Sequence, residues 1–339
     1  MATMKDVARE AGVALGSVSR VINHAPGVKQ KTIDKVNAAI KKLNYVPDEY
    51  ERGLKVKSSK TVALILPSIW NLFFAEFAYY VEKYLAEKNY KLLLCNYSNN
   101  PKAEQHYIKM AKQNKIDAII CITYDDLDKY FYAGIPLVSI DRYFEQKISY
   151  VTSENYEGGR LAAEELLKHG VKHPAFIGTY NHNPSDVMKR HKGFAEYLSE
   201  QGYEFADVYL LEPVTKEEEE TELFKLLDKN PEVDGIFCNT DSLLLDVKNW
   251  LAQREISVPE QIQLIGYDGI KPDFNSELGI STIRQPLPEM AKCAVEMVIE
   301  KVEQHRDEQR IERFPVSYIE GNTTKNIWQR LHTLLLFEL

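Results

Sequence analysis

The sequence predicts an α/β chain: a three-helix head over the first 46 residues, then a two-lobed core of parallel sheets with helices on both faces. Two patterns carry that prediction. Three short N-terminal runs place apolar residues at helical spacing. From Thr61 onward, short apolar runs alternate with longer amphipathic segments, and the alternation occurs twice.

In the head, Met4, Val7, Ala8 and Ala11 fall on one helix face, Gly12 interrupts them, and Val18, Val21 and Ile22 restart the pattern. Two helices joined by a tight turn follow, a helix-turn-helix. Leu15, Gly16, Ser19, Arg20 and Asn23 face outward on the second helix with Ser17 beside them, small or hydrogen-bonding side chains suited to a major groove. A third run, Ile33, Val36, Ile40 and Leu43, closes the core. Lys29, Lys31, Lys35, Lys41 and Lys42 surround it, placed to meet phosphates.

Charge sharpens this division. The 339 residues carry a net −8. Residues 1–60 hold 12 Lys/Arg against 6 Asp/Glu, whereas the other 279 hold 30 against 44. Only the head attracts a polyanion, so DNA repels the body except where the head docks. The first residues lack a basic start followed by an apolar run, and no stretch of about 20 apolar residues occurs, so neither export nor a membrane span is expected, and a cytoplasmic protein follows. Cys95, Cys121, Cys238 and Cys293 lie far apart in apolar runs, the pattern of buried free thiols. No cofactor or metal is expected.

Pro47 stops the third helix, and residues 47–59 read as a joint. The first core series has strands at 61–66, 91–95, 118–122 and 137–140, with helices such as 77–88 and 103–113. The second has strands near 175–177, 208–211, 235–238 and 263–265, with helices over 156–168, 189–201, 216–228 and 243–254. In open α/β sheets ligands bind beyond the carboxyl ends of the strands. Asn71, Phe73 and Phe74 follow the first strand, Asp141 ends the fourth, Thr240 and Asp241 follow the 235 strand, and Asp268 follows the 263 strand. Arg190 opens a helix facing the same cleft. Carboxylates and a forked guanidinium each bind vicinal hydroxyls bidentately, and aromatic faces suit the apolar side of a pyranose. That is sugar chemistry.

Asp6-Val7-Ala8, Ala11-Gly12-Val13, the run from Ser17 to Asn23, Lys35-Val36 and Leu43-Asn44-Tyr45-Val46-Pro47 resemble the N-terminal signature of the lactose-repressor/galactose-repressor family of bacterial transcription regulators. The alternating segment, up to about Thr324, resembles that family's periplasmic-binding-protein-like core. Three positions depart from the pattern. Ala14 stands where a Ser usually caps the recognition helix, Asp48 where an Asn follows the Pro, and Thr240 where an Asn precedes Asp241.

The resemblance implies a DNA-binding domain over 1–46, a hinge over 47–59, an effector-binding core over 60–324 and a tail over 325–339. Crossings near Glu157, Pro286 and Val316 would divide the core into an N-lobe (60–157 and 287–316) and a C-lobe (158–286 and 317–324). Leu54 matches the hinge wedge that opens the minor groove at the operator centre. Arg190 and Asp268 match the family's effector contacts, and Asp141 a frequent third. The implied protein is a homodimeric repressor of a carbohydrate-utilisation operon that binds double-stranded operator DNA under control of a di- or oligosaccharide in the cleft. Tetramerisation through the tail stays open, as do a phosphorylated carrier-protein corepressor and a purine or nucleoside effector. No Ser, His and acid arrangement with a nucleophile elbow occurs, so no enzyme is expected.

Overall fold

The structure, a computed structural model, describes residues 2–23, 25–45, 58–98, 100–113, 116–123, 134–144, 148–183, 185–273, 275–277, 279–304 and 308–326. The chain divides into two compact units, Met1–Ser59 and Lys60–Leu339. Residues 46–57, which include Leu54 and most of the 47–59 hinge, and residues 327–339 of the tail lie outside the described residues.

The head contains α1 (Met4–Ala11), α2 (Leu15–Ile22) and α3 (Gln30–Leu43). Thr3 starts α1 through a capping box: its hydroxyl accepts from the Asp6 amide, and the Asp6 carboxylate accepts from the Thr3 amide. Gly12 ends it at φ +62°, a left-handed position that glycine holds without strain. No side chain caps α2 at Ala14. Val7, Ala8, Ala11, Val18, Val21, Val36, Ala39 and Tyr45 form the core, so both apolar stripes of the helix-turn-helix turn inward against α3.

The larger unit begins β1 (Thr61–Leu66), α4 (Leu72–Glu87), β2 (Lys91–Asn96), α5 (Pro101–Gln113), β3 (Ala118–Cys121), β4 (Leu137–Ile140) and β5 (Ser149–Ser153). It continues α6 (Asn155–Lys168), β6 (Pro174–Tyr180), α7 (Lys189–Glu200), β7 (Ala206–Leu211), α8 (Lys216–Lys229), β8 (Gly235–Cys238), α9 (Asp241–Gln253) and β9 (Gln263–Asp268). β10 (Thr282–Arg284), α10 (Leu287–Gln304), β11 (Ile311–Phe314) and β12 (Ser317–Ile319) complete it. One sheet runs β11-β5-β4-β3-β1-β2, wholly parallel. The other runs β12-β10-β9-β8-β6-β7, parallel apart from β12. Each lobe repeats the same doubly wound order, so strand ends gather at matching switch points. Apolar clusters fill both faces of each sheet, with α4 and α10 covering one N-lobe face and α6 and α7 one C-lobe face.

The chain passes between sheets at three places: between β5 and α6, between β10 and α10, and between β11 and β12. The first passage precedes the expected Glu157 by three residues. Ala162, Ala163 and Leu166 of α6 are buried in the C-lobe, and a continuous helix carries its first turn along with that face. Helix α4 starts at Leu72, five residues before the periodic run suggested, because Asn71 accepts from the Phe73 amide at 2.9 Å and caps it. Strand β5 escapes sequence reading for another reason: Ser-Tyr-Val-Thr-Ser has no apolar run, yet all five residues are buried between β4 and β11.

All four thiols are free; Cys95, Cys121 and Cys238 are buried and Cys293 half-buried. Burial pushes each thiol above its ordinary range. Among the described residues no helix is long and apolar enough to cross a membrane.

Replacing Ala14 with Ser offers a hydroxyl to the Ser17 amide. Ala14→Ser should stabilise the head by about 1 kcal/mol, read as a higher thermal midpoint. An unchanged midpoint would mean that packing alone sets the start of α2.

Candidate DNA-reading helix and effector cavity

Leu15, Gly16 and Arg20 are exposed on α2, Ser17 and Ser19 half-exposed, and Asn23 and Lys29 exposed beyond its end. One Arg20 Nη2 proton goes to the Pro26 carbonyl at 2.9 Å, which steadies the guanidinium while its other donors stay outside that bond. Asn23 donates to Ser19 Oγ at 3.3 Å. The face is a shallow polar ridge. Its short side chains let the helix axis approach a groove closely, and Arg20 and Asn23 provide hydrogen-bonding reach.

In the larger unit, a cavity of about 530 Å³, its open mouth included, lies between the lobes. Asn71, Phe73, Phe74, Asp141, Arg190, Thr240 and Asp268 line it. Sequence reading missed Ile122, Thr123, Ile140, Arg142, Ser185 and Val187. Thr123 and Arg142 lie two residues past the ends of β3 and β4, so the strand-end rule would have reached them. Ser185 and Val187 lie around the short 3₁₀ turn Asp186–Met188, which has no periodic signal.

Arg190 is the centre of the cavity. Only 2% exposed, it donates from Nε to Asn155 Oδ1 at 2.7 Å and from Nη1 to the Asn239 carbonyl at 2.8 Å and Asp268 Oδ1 at 3.4 Å. Its guanidinium carbon sits 3.7 Å from the centre of the Tyr267 ring, a cation–π contact. Nη2 has no protein partner among the described residues. Asp268 also accepts from Gln285 Nε2 at 2.9 Å on Oδ1, and its Oδ2 has no partner among the described residues. Asp141 follows the same pattern: Oδ1 accepts from Thr152 and Asn155 at 2.7 and 3.4 Å, and its second oxygen has no partner among the described residues. The cavity therefore presents a forked cation and two carboxylates with unused hydrogen-bonding capacity.

Both carboxylates sit on backbone that L residues adopt rarely, Asp141 at φ +58° and Asp268 at φ +120°. Burial pushes the Asp268 carboxyl up to about 6 even though Arg190 beside it favours the anion. The Asp141 carboxyl is raised for the same first reason.

Asp241 departs from the expected set. Its Oδ2 accepts from the Gly269 and Ile270 amides at 2.7 and 2.9 Å and its Oδ1 from Thr282 Oγ1 at 2.6 Å. Fully buried and with both oxygens occupied, it does not line the cavity; it pins the loop after Asp268. The Thr240 hydroxyl caps α9 by accepting from Leu243 N at 3.2 Å while its residue lines the cavity. Asn71 does the same for α4, and its amide reaches Ser242 Oγ of the other lobe at 3.4 Å.

Glycines place the Arg190 helix. A Cβ on Gly159 would overlap the Arg190 carbonyl, and one on Gly193 the Tyr156 carbonyl, so α6 and α7 cross at backbone contact. Gly158 leaves room for the Tyr267 ring beneath the guanidinium, 2.6 Å from where a Cβ would stand.

Residues 3–48 match the bacterial regulatory proteins, lacI family, and residues 163–324 the periplasmic binding protein-like domain. The chain is 35% identical to the sucrose operon repressor of Streptococcus mutans serotype c over 324 residues, 95% of this chain and 99% of that protein. It is 32% identical to the ribose operon repressor of Bacillus subtilis (strain 168) over 326 residues, 96% of this chain and 99% of that one. Among solved structures, a complex of the transcriptional regulator CelR with cellobiose matches with a TM-score of 0.69 and 25% identity, covering 95% of this chain and 100% of that one. Helix-turn-helix head and two-lobed core define a DNA-binding transcriptional regulator. The chain belongs to the lacI family of bacterial regulatory proteins.

Two outcomes follow. Gly193→Ala forces α6 and α7 apart and should destabilise the larger unit by about 1–3 kcal/mol, measured as a lower unfolding midpoint. For Asp268, the folded value near 6 exceeds the ordinary 3.8, so the protonated carboxyl favours the folded state; that contribution is full below about pH 4 and is lost as pH rises through about 6. Asp268→Asn, which mimics the neutral acid, should therefore gain on the parent by an amount of order 2 kcal/mol between about pH 4 and 7 in denaturant titrations. A constant difference across that range would contradict the raised value.

Proposed function

We propose that this regulator represses a carbohydrate-utilisation operon and that a sugar, a di- or oligosaccharide, bound between its lobes controls its affinity for operator DNA. The observation that carries this reading is the buried Arg190–Asp268 pair with one nitrogen and one oxygen left for a ligand. Adjacent donor and acceptor match vicinal hydroxyls, and Asp141, which lines the same cavity, adds a second acceptor. A flat purine is served less well: Phe73 and Phe74 meet edge to face, at 5.4 Å and 77°, and offer no parallel slot.

Leu15, Gly16, Ser17, Ser19, Arg20, Asn23 and Lys29 would meet one operator half-site, and Leu54 the central minor groove. Two half-sites call for a homodimer. Exposed Leu94 on the edge strand β2 and exposed Tyr79 on α4 support one, since a sheet edge and a tyrosine-bearing helix face suit a second copy. A ligand gripped by both lobes stabilises one lobe angle, and if DNA binding stabilises another, each opposes the other by the same coupling free energy. Regulation would take place in the cytoplasm, where operator DNA is.

A screen of the full-length protein against sucrose, cellobiose, ribose, glucose and hypoxanthine tests this. A sugar at 100 times its Kd should add about 2.7 kcal/mol of stability. Arg190→Ala should abolish that shift while the head still binds DNA. A response to hypoxanthine alone would overturn the sugar reading.

A further inference from the structure

Trp70 is 92% exposed on the loop between β1 and α4, with the exposed Ile69 beside it. Single apolar residues at a surface are ordinary, but the position of this one is not. The next residue, Asn71, lines the effector cavity, caps α4 and reaches across to the other lobe. The loop that carries Trp70 is also held: the Ile69 amide donates to Asn96 Oδ1 and the Trp70 amide to Ser68 Oγ, both at 3.2 Å. A large indole is thus kept in water within one residue of the cavity wall.

A second aromatic stands in the corresponding place after β4. Tyr143 is 42% exposed and directly follows Arg142, another lining residue. The strand order β4-β3-β1 sets the two loops two strand spacings apart, about 10 Å, with Thr123 after β3 between them. Arg190, Asp268 and Asp141, the polar groups for a first sugar ring, are all buried, whereas Trp70 and Tyr143 are exposed and each is one residue along the chain from a lining residue. An inner polar grip with an outer aromatic shelf suits a ligand of two rings: hydroxyls of the first meet the charges, and the C–H face of the second packs on a π-surface.

We propose that Trp70 and Tyr143 form an outer saccharide subsite that selects a disaccharide over its component monosaccharides. The proposal rests on the sugar reading above and adds which residues set ligand length. Because both side chains are exposed, truncating them leaves the fold intact.

The test titrates full-length protein with sucrose, cellobiose, glucose and fructose by calorimetry, with tryptophan emission recorded in parallel, for the parent, Trp70→Ala, Tyr143→Ala and Arg190→Ala. The expected result is disaccharide binding with a blue shift in emission, weakened about tenfold or more by Trp70→Ala, with monosaccharide affinity within about twofold of the parent. Arg190→Ala should weaken both classes. Disaccharide affinity unchanged in Trp70→Ala and Tyr143→Ala but lost in Arg190→Ala would overturn the outer subsite and leave the sugar reading standing. Binding of no sugar by the parent would overturn both. Conversion of a dimer to a monomer by Trp70→Ala, with sugar affinity unchanged, would assign the indole to a subunit contact and overturn the subsite.

Discussion

A buried guanidinium is the constraint on which the rest of the core depends. A charge removed from water is tolerated only when its surroundings replace the lost hydration. For Arg190 the replacement comes from Asn155 at the first lobe crossing, the Asn239 carbonyl after β8, Asp268 at the end of β9 and the ring of Tyr267. Asn155 also donates to Asp141, and Asp268 accepts from Gln285 at the second crossing. One cation therefore links the carboxyl ends of strands from both sheets with two of the three passages between them. On the function proposed above, a ligand that engages Arg190 would act on residues at those passages.

The same economy appears around the cavity. Asn71 and Thr240 each cap a helix while lining the space between the lobes, so the caps and the wall cannot move separately. Asp241 fixes the loop that follows Asp268, and the strained φ of Asp268 is held in place by that pinning on one side and by β9 on the other. Glycines at 158, 159 and 193 allow α6, α7 and Tyr267 to approach closely enough for the cation to be covered.

Much of this was legible residue by residue, and the misses have physical causes. Arg190 and Asp268 stand out in sequence as an arginine opening a helix and an acid ending a strand, and the structure brings them together. Asp241 occupies an equally suggestive strand end but turns inward, because the amides of Gly269 and Ile270 and the hydroxyl of Thr282 arrive from elements 28 to 41 residues away. Sequence spacing holds no trace of such partners. Strand β5 was invisible because its hydroxyl-rich residues are buried by neighbours on both sides, and the edge strands β11 and β12 because three or four residues make no pattern.

By itself the sequence determined the three-helix head, the twofold alternation of strands and helices, the division of charge between a basic head and an acidic body, and the short list of cleft residues. These follow from local periodicity, capping chemistry and composition, which need no knowledge of distant contacts. Only the tertiary structure decided which acids line the cavity and which hold the loop, where the chain passes between lobes, and that two aromatics next in sequence to lining residues are exposed. Each of those outcomes depends on which strand ends become neighbours, and neighbourhood across a sheet is set by the strand order, a relation between segments far apart in the chain.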